Sequence, residues 1–199
     1  MKRLFTVFIL IVVIGGIYLF FTAKGRQNKM VTLEEQVESQ WGQVRNMYQR
    51  RADLIPNLVE TVRGYKDFEQ ETLTQVTEAR AKVGQVTVDE NILKNPQLMQ
   101  QYANAQGQLG QTLSRLMVVV ERYPDLKANE QFNNLMVQLE GTENRIARER
   151  QKFNEAARDY NTYIKQFPSN IFANFFGFEP VAYFEGSEGI ENAPQVDFN

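Results

Sequence analysis

The chain has 199 residues, 43% of them hydrophobic, with 22 basic and 24 acidic side chains and a formal net charge of −2. Cysteine and histidine are both absent, which excludes disulfides, thiolate nucleophiles, a lipid-modified cysteine and every zinc site built on those two ligands. Five basic residues (Lys2, Arg3, Lys24, Arg26, Lys29) precede position 30, leaving 17 basic against 24 acidic side chains beyond it, a net of −7. A nucleic-acid-binding surface needs the opposite surplus to displace counterions from phosphates, so that class of partner is excluded.

Leu4 to Ala23 carries no charge and is almost wholly apolar. Twenty residues at ~1.5 Å each reach ~30 Å, the thickness of a bilayer's hydrocarbon core. A cleaved signal peptide is the rival reading, but its apolar region runs ~7–15 residues and its cleavage site wants small side chains at −3 and −1. A cut after Ala23 puts Phe21 at −3, so the segment reads as an uncleaved transmembrane anchor. The two flanks carry similar positive charge, and the positive-inside rule does not decide orientation.

A polar hinge is expected over Lys24–Met30, then a helix start at Thr32-Leu-Glu-Glu35, where hydroxyl and carboxylate form a capping box. Leu33, Val37, Trp41, Val44, Tyr48, Leu58, Val62, Tyr65, Leu73 and Val76 then recur at helical spacing along one face. Pro56 removes a donor and crowds the preceding turn, which predicts a kink over Asp53–Pro56. Gln85–Asn95 reads as a loop. Asn95-Pro96 opens a second helix, with Asn as cap and Pro in the first turn, and this helix stops at Tyr123-Pro124. A third helix begins near Ala128–Asn129 and ends at Pro168. Short connections make consecutive helices antiparallel neighbours. The expected fold is all-α: an elongated antiparallel bundle of three to four long helices on an N-terminal transmembrane helix. The count depends on how Pro56 divides the first one. The domain division is 1–30 for anchor and hinge, 31–167 for the bundle, and 168–199 for a tail.

The tail has five acidic residues (Glu179, Glu185, Glu188, Glu191, Asp197) and no basic one. Its aromatics are Phe172, Phe175, Phe176, Phe178, Tyr183, Phe184 and Phe198. Aromatic side chains bury ~150–250 Å² each when packed, so this segment is expected to lie on the bundle or on a neighbouring chain. Gly and Pro punctuate it and argue against a long helix.

Two clusters invite a chemical reading. Arg50 and Arg51, near Asp53, could take a phosphate or carboxylate; the plainer reading is an ion pair within the bundle, with Asp53 or a glutamate on a facing helix. Glu140, Glu143, Arg145, Arg148 and Glu149 resemble the carboxylate spacing of metal-binding bundles, but those sites pair Glu with His and this chain has none. Helix-to-helix ion pairing is the better account. Gly64 and Gly141 are read as points of close helix approach. Trp41, Tyr48, Tyr65, Tyr102 and Tyr160 fall at apolar helical positions and are assigned to the core. No nucleophile elbow, phosphate loop or dinucleotide fingerprint is present, and no catalytic, metal-binding or cofactor-binding residue is assigned.

Four segments carry a resemblance: Trp41 with Tyr-Gln-Arg-Arg-Ala-Asp-Leu-Ile-Pro-Asn-Leu-Val-Glu-Thr-Val-Arg-Gly-Tyr (48–65), Glu-Arg-Tyr-Pro-Asp-Leu-Lys-Ala (121–128), Leu-Glu-Gly-Thr-Glu-Asn-Arg-Ile (139–146), and Tyr-Asn-Thr-Tyr-Ile-Lys-Gln-Phe-Pro-Ser-Asn-Ile (160–171) with Phe-Gly-Phe (176–178). In this order they resemble the LemA family; Phe68 departs from a histidine found in many relatives. The resemblance implies a bacterial inner-membrane protein with one N-terminal span and a long helical bundle on the cytoplasmic side. It implies no reaction, substrate or cofactor. The expected function is a non-enzymatic membrane-anchored scaffold or adaptor. It would act through homo-oligomerisation and contacts with other membrane proteins. Candidate interaction residues are Arg50, Arg51, Asp53, Phe172, Phe175, Phe176 and Phe178. The alternatives are a sensor for a small anionic ligand near Arg50 and Arg51, and, last, an enzyme using Glu140 and Glu143.

Overall fold

The computed structural model describes residues 2–65, 68–86 and 90–185. Glu188, Glu191, Asp197 and Phe198 of the tail therefore lie outside the described residues. Every regular element among those described is helical: α1 (Lys2–Arg63), α2 (Gln70–Gln85), a 3₁₀ turn (Glu90–Lys94), α3 (Pro96–Val120), α4 (Pro124–Lys127), α5 (Glu130–Lys165) and α6 (Ser169–Phe176).

The first helix differs most from expectation. It runs unbroken for 62 residues, about 93 Å at 1.5 Å per residue. No hinge interrupts Lys24–Met30, and Thr32 does not cap: its hydroxyl donates to the carbonyl of Asn28 one turn back, at 2.9 Å. The physical reason is that an upstream helix already supplies partners for the backbone N–H groups that a cap would serve. Pro56 lies inside α1, and the chain turns instead at Gly64–Phe68, where Tyr65 N–H bonds to Val62 O and Phe68 N–H to Tyr65 O. Leu73 and Val76 thus belong to a separate helix. Gly64 ends α1 and brings no helix close, and a Cβ added at Gly141 would meet nothing within 4 Å. Neither glycine marks a close approach.

The other helix ends follow local chemistry. Asn95 accepts from Leu98 N–H at 3.0 Å, with Pro96 in the first turn. Asn129 accepts from Phe132 N–H at 2.9 Å. Between them α4 makes one turn. Arg51 faces Glu143 and Trp41 faces Phe153, so α5 runs antiparallel to α1. Tyr48 meets Tyr102 and Arg51 meets Gln106, so α3 runs parallel to α1. The four long helices alternate up and down.

Two cores result. The one far from the apolar end joins Ile55, Leu58 and Val62 of α1 to residues of α2, α3 and α5, with Leu126 of α4 fully buried among them. The nearer core, around Trp41, contains Phe153, Ala157 and Tyr160 of α5 and Met99 and Tyr102 of α3. Helix α2 stops at Gln85 and reaches this level only with Val83, which packs against the core's edge. Its place is taken by Ile92 and Leu93 of the 3₁₀ turn and by Val181, Ala182 and Phe184 of the tail. The start of α1 is different in kind. From Phe8 to Phe21 its side chains are exposed, and an 18-residue window with mean hydropathy 2.1 has none of its residues buried. That segment is long and apolar enough to cross a membrane.

Candidate functional site

Where the two cores meet, α1 places Arg51 inside the bundle with only 2% of its surface exposed. Its Nη1 donates to Glu143 of α5, and its Nη2 donates to the backbone carbonyl of Gln106 at 3.0 Å and to the Gln106 side-chain oxygen. The guanidinium also lies 5.3 Å from the centroid of the Tyr48 ring, which packs edge-on to Tyr102 at 5.5 Å. One arginine thereby ties α1, α3 and α5 at a single level. The centre is not fully satisfied: Arg51 Nε and the Tyr48 hydroxyl are buried without a hydrogen-bond partner. Burial pushes the Tyr48 phenol up to about 12, against the opposing pull of Arg150 and Arg51. Tyr102 is raised as well, first by burial and despite its bond to Gln106.

The other residues singled out from sequence scatter. Arg50 is exposed beside buried Arg51, and Asp53 accepts from Gln49 on the surface at 2.7 Å. Glu140, Arg145 and Arg148 are exposed, and Glu149 pairs with Lys152 at 2.9 Å. Phe172 and Phe178 pack against the core around Trp41, Phe176 is half-buried, and Phe175 is exposed.

A second feature, in the tail, involves residues that the sequence did not single out. After α6, Gly177 turns the chain in the left-handed conformation (φ 77°), and residues 178–185 run back along α5 as an extended strap. Asn161 holds Val181 by both backbone groups, donating to its carbonyl and accepting its N–H, each at 2.9 Å. Asn154 treats Phe184 the same way, at 2.8 and 2.9 Å. Seven helical residues rise ~10.5 Å and three extended residues span ~10 Å, so the two asparagines match the strap's own repeat. The Tyr160 hydroxyl donates to Glu179 O at 2.9 Å, and Ala182 N–H donates to Leu93 O at 2.7 Å from the opposite side. Arg150 closes the far end, stacked 4.7 Å over the Phe184 ring and donating to Glu185 O. The side chain of Phe184 reaches Trp41 and Phe153 at 5.8 and 5.4 Å between ring centroids. The available sequence signal was two asparagines seven residues apart on the buried side of a helix, a poor place for Asn unless it bonds to something.

Beside the strap is a cleft of about 580 Å³ lined by Glu34, Glu38, Trp41, Arg45, Lys94 and Val181. Its two charge signs are mixed. Glu34 has its carboxyl held above the usual range, chiefly by burial, with Lys94 opposing.

Fold and site together define a class: an all-α bundle, its core filled by side chains, continuous with one helix long and apolar enough to cross a membrane. The family model described as the LemA family matches residues 40–198. The chain belongs to that family. It is 26% identical over 187 residues to Protein LemA of Metamycoplasma hominis, covering 94% of this chain and 80% of that protein. It is also 29% identical over 175 residues to Magnetosome protein MamQ of Magnetospirillum gryphiswaldense, covering 80% of this chain and 64% of the relative. Magnetosome protein MamQ 2 of Paramagnetospirillum magneticum matches at 29% over 176 residues, with 65% of its length covered.

Proposed function

We propose that this chain is a membrane-anchored helical scaffold of the LemA type, acting through self-association and protein contacts and catalysing no reaction. The observation that carries the reading is the strap groove. A surface that grips an extended segment by its main chain is tolerant of sequence and is built for protein, not for a small substrate. The relatives described above are named for a cell structure or for the family, and not for a reaction. Arg51, the residue best suited to an anionic ligand, is already engaged by Glu143 and Gln106, which counts against the sensor reading. In this proposal residues 1–30 hold the protein in the bacterial inner membrane, 31–167 form the bundle on the cytoplasmic side, and 168–199 form the tail. The boundary between the first two falls inside one unbroken helix. The test is the mass of the full chain in nanodiscs together with cross-linking in native membranes and protease accessibility in intact cells. More than one chain per particle, or a recovered protein partner, with a protected bundle is expected. A strictly single chain with no cross-linked partner overturns the scaffold, and a bundle cut from outside overturns the cytoplasmic placement.

A further inference from the structure

Helix α6 has two faces. Ser169 and Ala173 are buried against the bundle. On the outer face Ile171 and Phe175, four residues apart, are 57% and 81% exposed, and Phe167, two residues before the helix begins, is 81% exposed. Three large apolar side chains exposed on and just before a short helix are costly to leave in water. One bond marks the level of this patch along α1: Arg26 Nη1 donates to Ser169 Oγ at 2.8 Å. Arg26 follows Ala23, the last residue of the uncharged apolar stretch, by three positions, which is ~4.5 Å along the helix axis. α6 therefore lies at the level where hydrocarbon gives way to headgroups. From Phe167 to Phe178 the chain has no charged residue, while Lys24, Arg26 and Lys29 surround this level on α1. Apolar and aromatic side chains with basic neighbours are the composition that settles at a lipid interface.

We propose that α6 is a second membrane contact, an interfacial helix whose Ile171 and Phe175, with Phe167 just before it, enter the bilayer surface beside the anchor and seat the end of the bundle on it. The inference rests on α1 spanning the membrane, and the experiment separates the two. The chain has no cysteine, so single-cysteine variants Leu10→Cys, Ile171→Cys, Phe175→Cys and Val118→Cys, all at exposed positions, accept an environment-sensitive fluorophore without background. Full-length protein is reconstituted into phosphatidylcholine–phosphatidylglycerol vesicles containing brominated lipid, and aqueous iodide serves as the opposing quencher. The expected result is loss of most fluorescence to brominated lipid at positions 10, 171 and 175, with position 118 on α3 quenched only by iodide. Quenching by lipid at 10 with iodide quenching at 171 and 175 overturns the interfacial helix and leaves the anchor standing. Shielding of 175 from both quenchers means that a second copy covers the patch, and also overturns it. Failure of lipid quenching at position 10 removes the anchor, and with it this inference.

Discussion

Replacing Asn161 by Ala tests the strap directly. Asn161 is buried and supplies both hydrogen bonds to Val181. Each such bond contributes ~1 kcal/mol net, and a buried backbone group left without a partner costs ~1–3 kcal/mol. The strap then loses about 2–3 kcal/mol, equivalent to a rise of about 30- to 150-fold in the opening equilibrium. Asn154 makes the same pair of bonds to Phe184 but is only part-buried, so water replaces the lost partner and Asn154→Ala costs about 1 kcal/mol, roughly fivefold. Amide hydrogen exchange, followed by mass spectrometry on fragments covering 178–185, reads both values, with the α3 segment as an internal standard. Acceleration is expected in the strap alone, and more for Asn161 than for Asn154. Equal acceleration in the two variants, or none in either, would show that the asparagines do not hold the strap and that the tail's apolar side chains suffice.

Further outcomes follow from the same geometry. Glu143 is 43% exposed by its side chain whereas Arg51 is buried, so Glu143→Ala leaves a buried cation with Gln106 alone and costs about 2–3 kcal/mol, while Arg51→Met leaves a carboxylate that water can reach and costs less; chemical denaturation giving the reverse order would refute this account. Tyr48→Phe deletes a hydroxyl that has no partner, so stability at pH 7 should change by less than about 1 kcal/mol. The folded chain holds the Tyr48 proton more tightly than the unfolded chain does, since the phenol is raised to about 12. Its contribution is therefore complete below pH ~10 and is lost as pH rises from there towards 12. The Phe variant should show a shallower alkaline decline in thermal melts, with Tyr102 and Tyr160, raised in the same direction, accounting for the remainder. Gly177→Ala places a side chain at φ 77° with no steric neighbour, which should cost about 1 kcal/mol and speed exchange in the strap without altering α3.

Much of the fold was legible because it rests on local chemistry. The cap and proline start at Asn95-Pro96, the stop at Tyr123-Pro124 and the three-and-four spacing of Trp41, Val44 and Tyr48 each specify a helix or its end without reference to the rest of the chain. The failures share a cause. Thr32-Leu-Glu-Glu35 is a sound cap only if the helix begins there, and nothing within those four residues reveals that the apolar helix continues into them. Gly64 reads as a point of close approach and the helical face carries on to Val76, because the three-and-four spacing continues in α2 and does not by itself show that the chain has turned. At the candidate site, the sequence offered Arg51 and Glu143 as charged residues but not as partners, because 92 residues separate them along the chain. The strap was hidden for a further reason. Asn154 and Asn161 recognise main chain, and main chain is the same at every position.

The unbroken passage of α1 out of its apolar segment and into the bundle has a mechanical consequence. Between Ala23 and Arg63 the helix extends about 60 Å, stiffened along much of that length by α5. Such a rod acts as a lever. A tilt of about 10° at the apolar end swings the far tip through about 10 Å. With no break in α1 between Ala23 and Arg63, movement at the apolar end is carried to the far tip, where Phe68 packs against Tyr123.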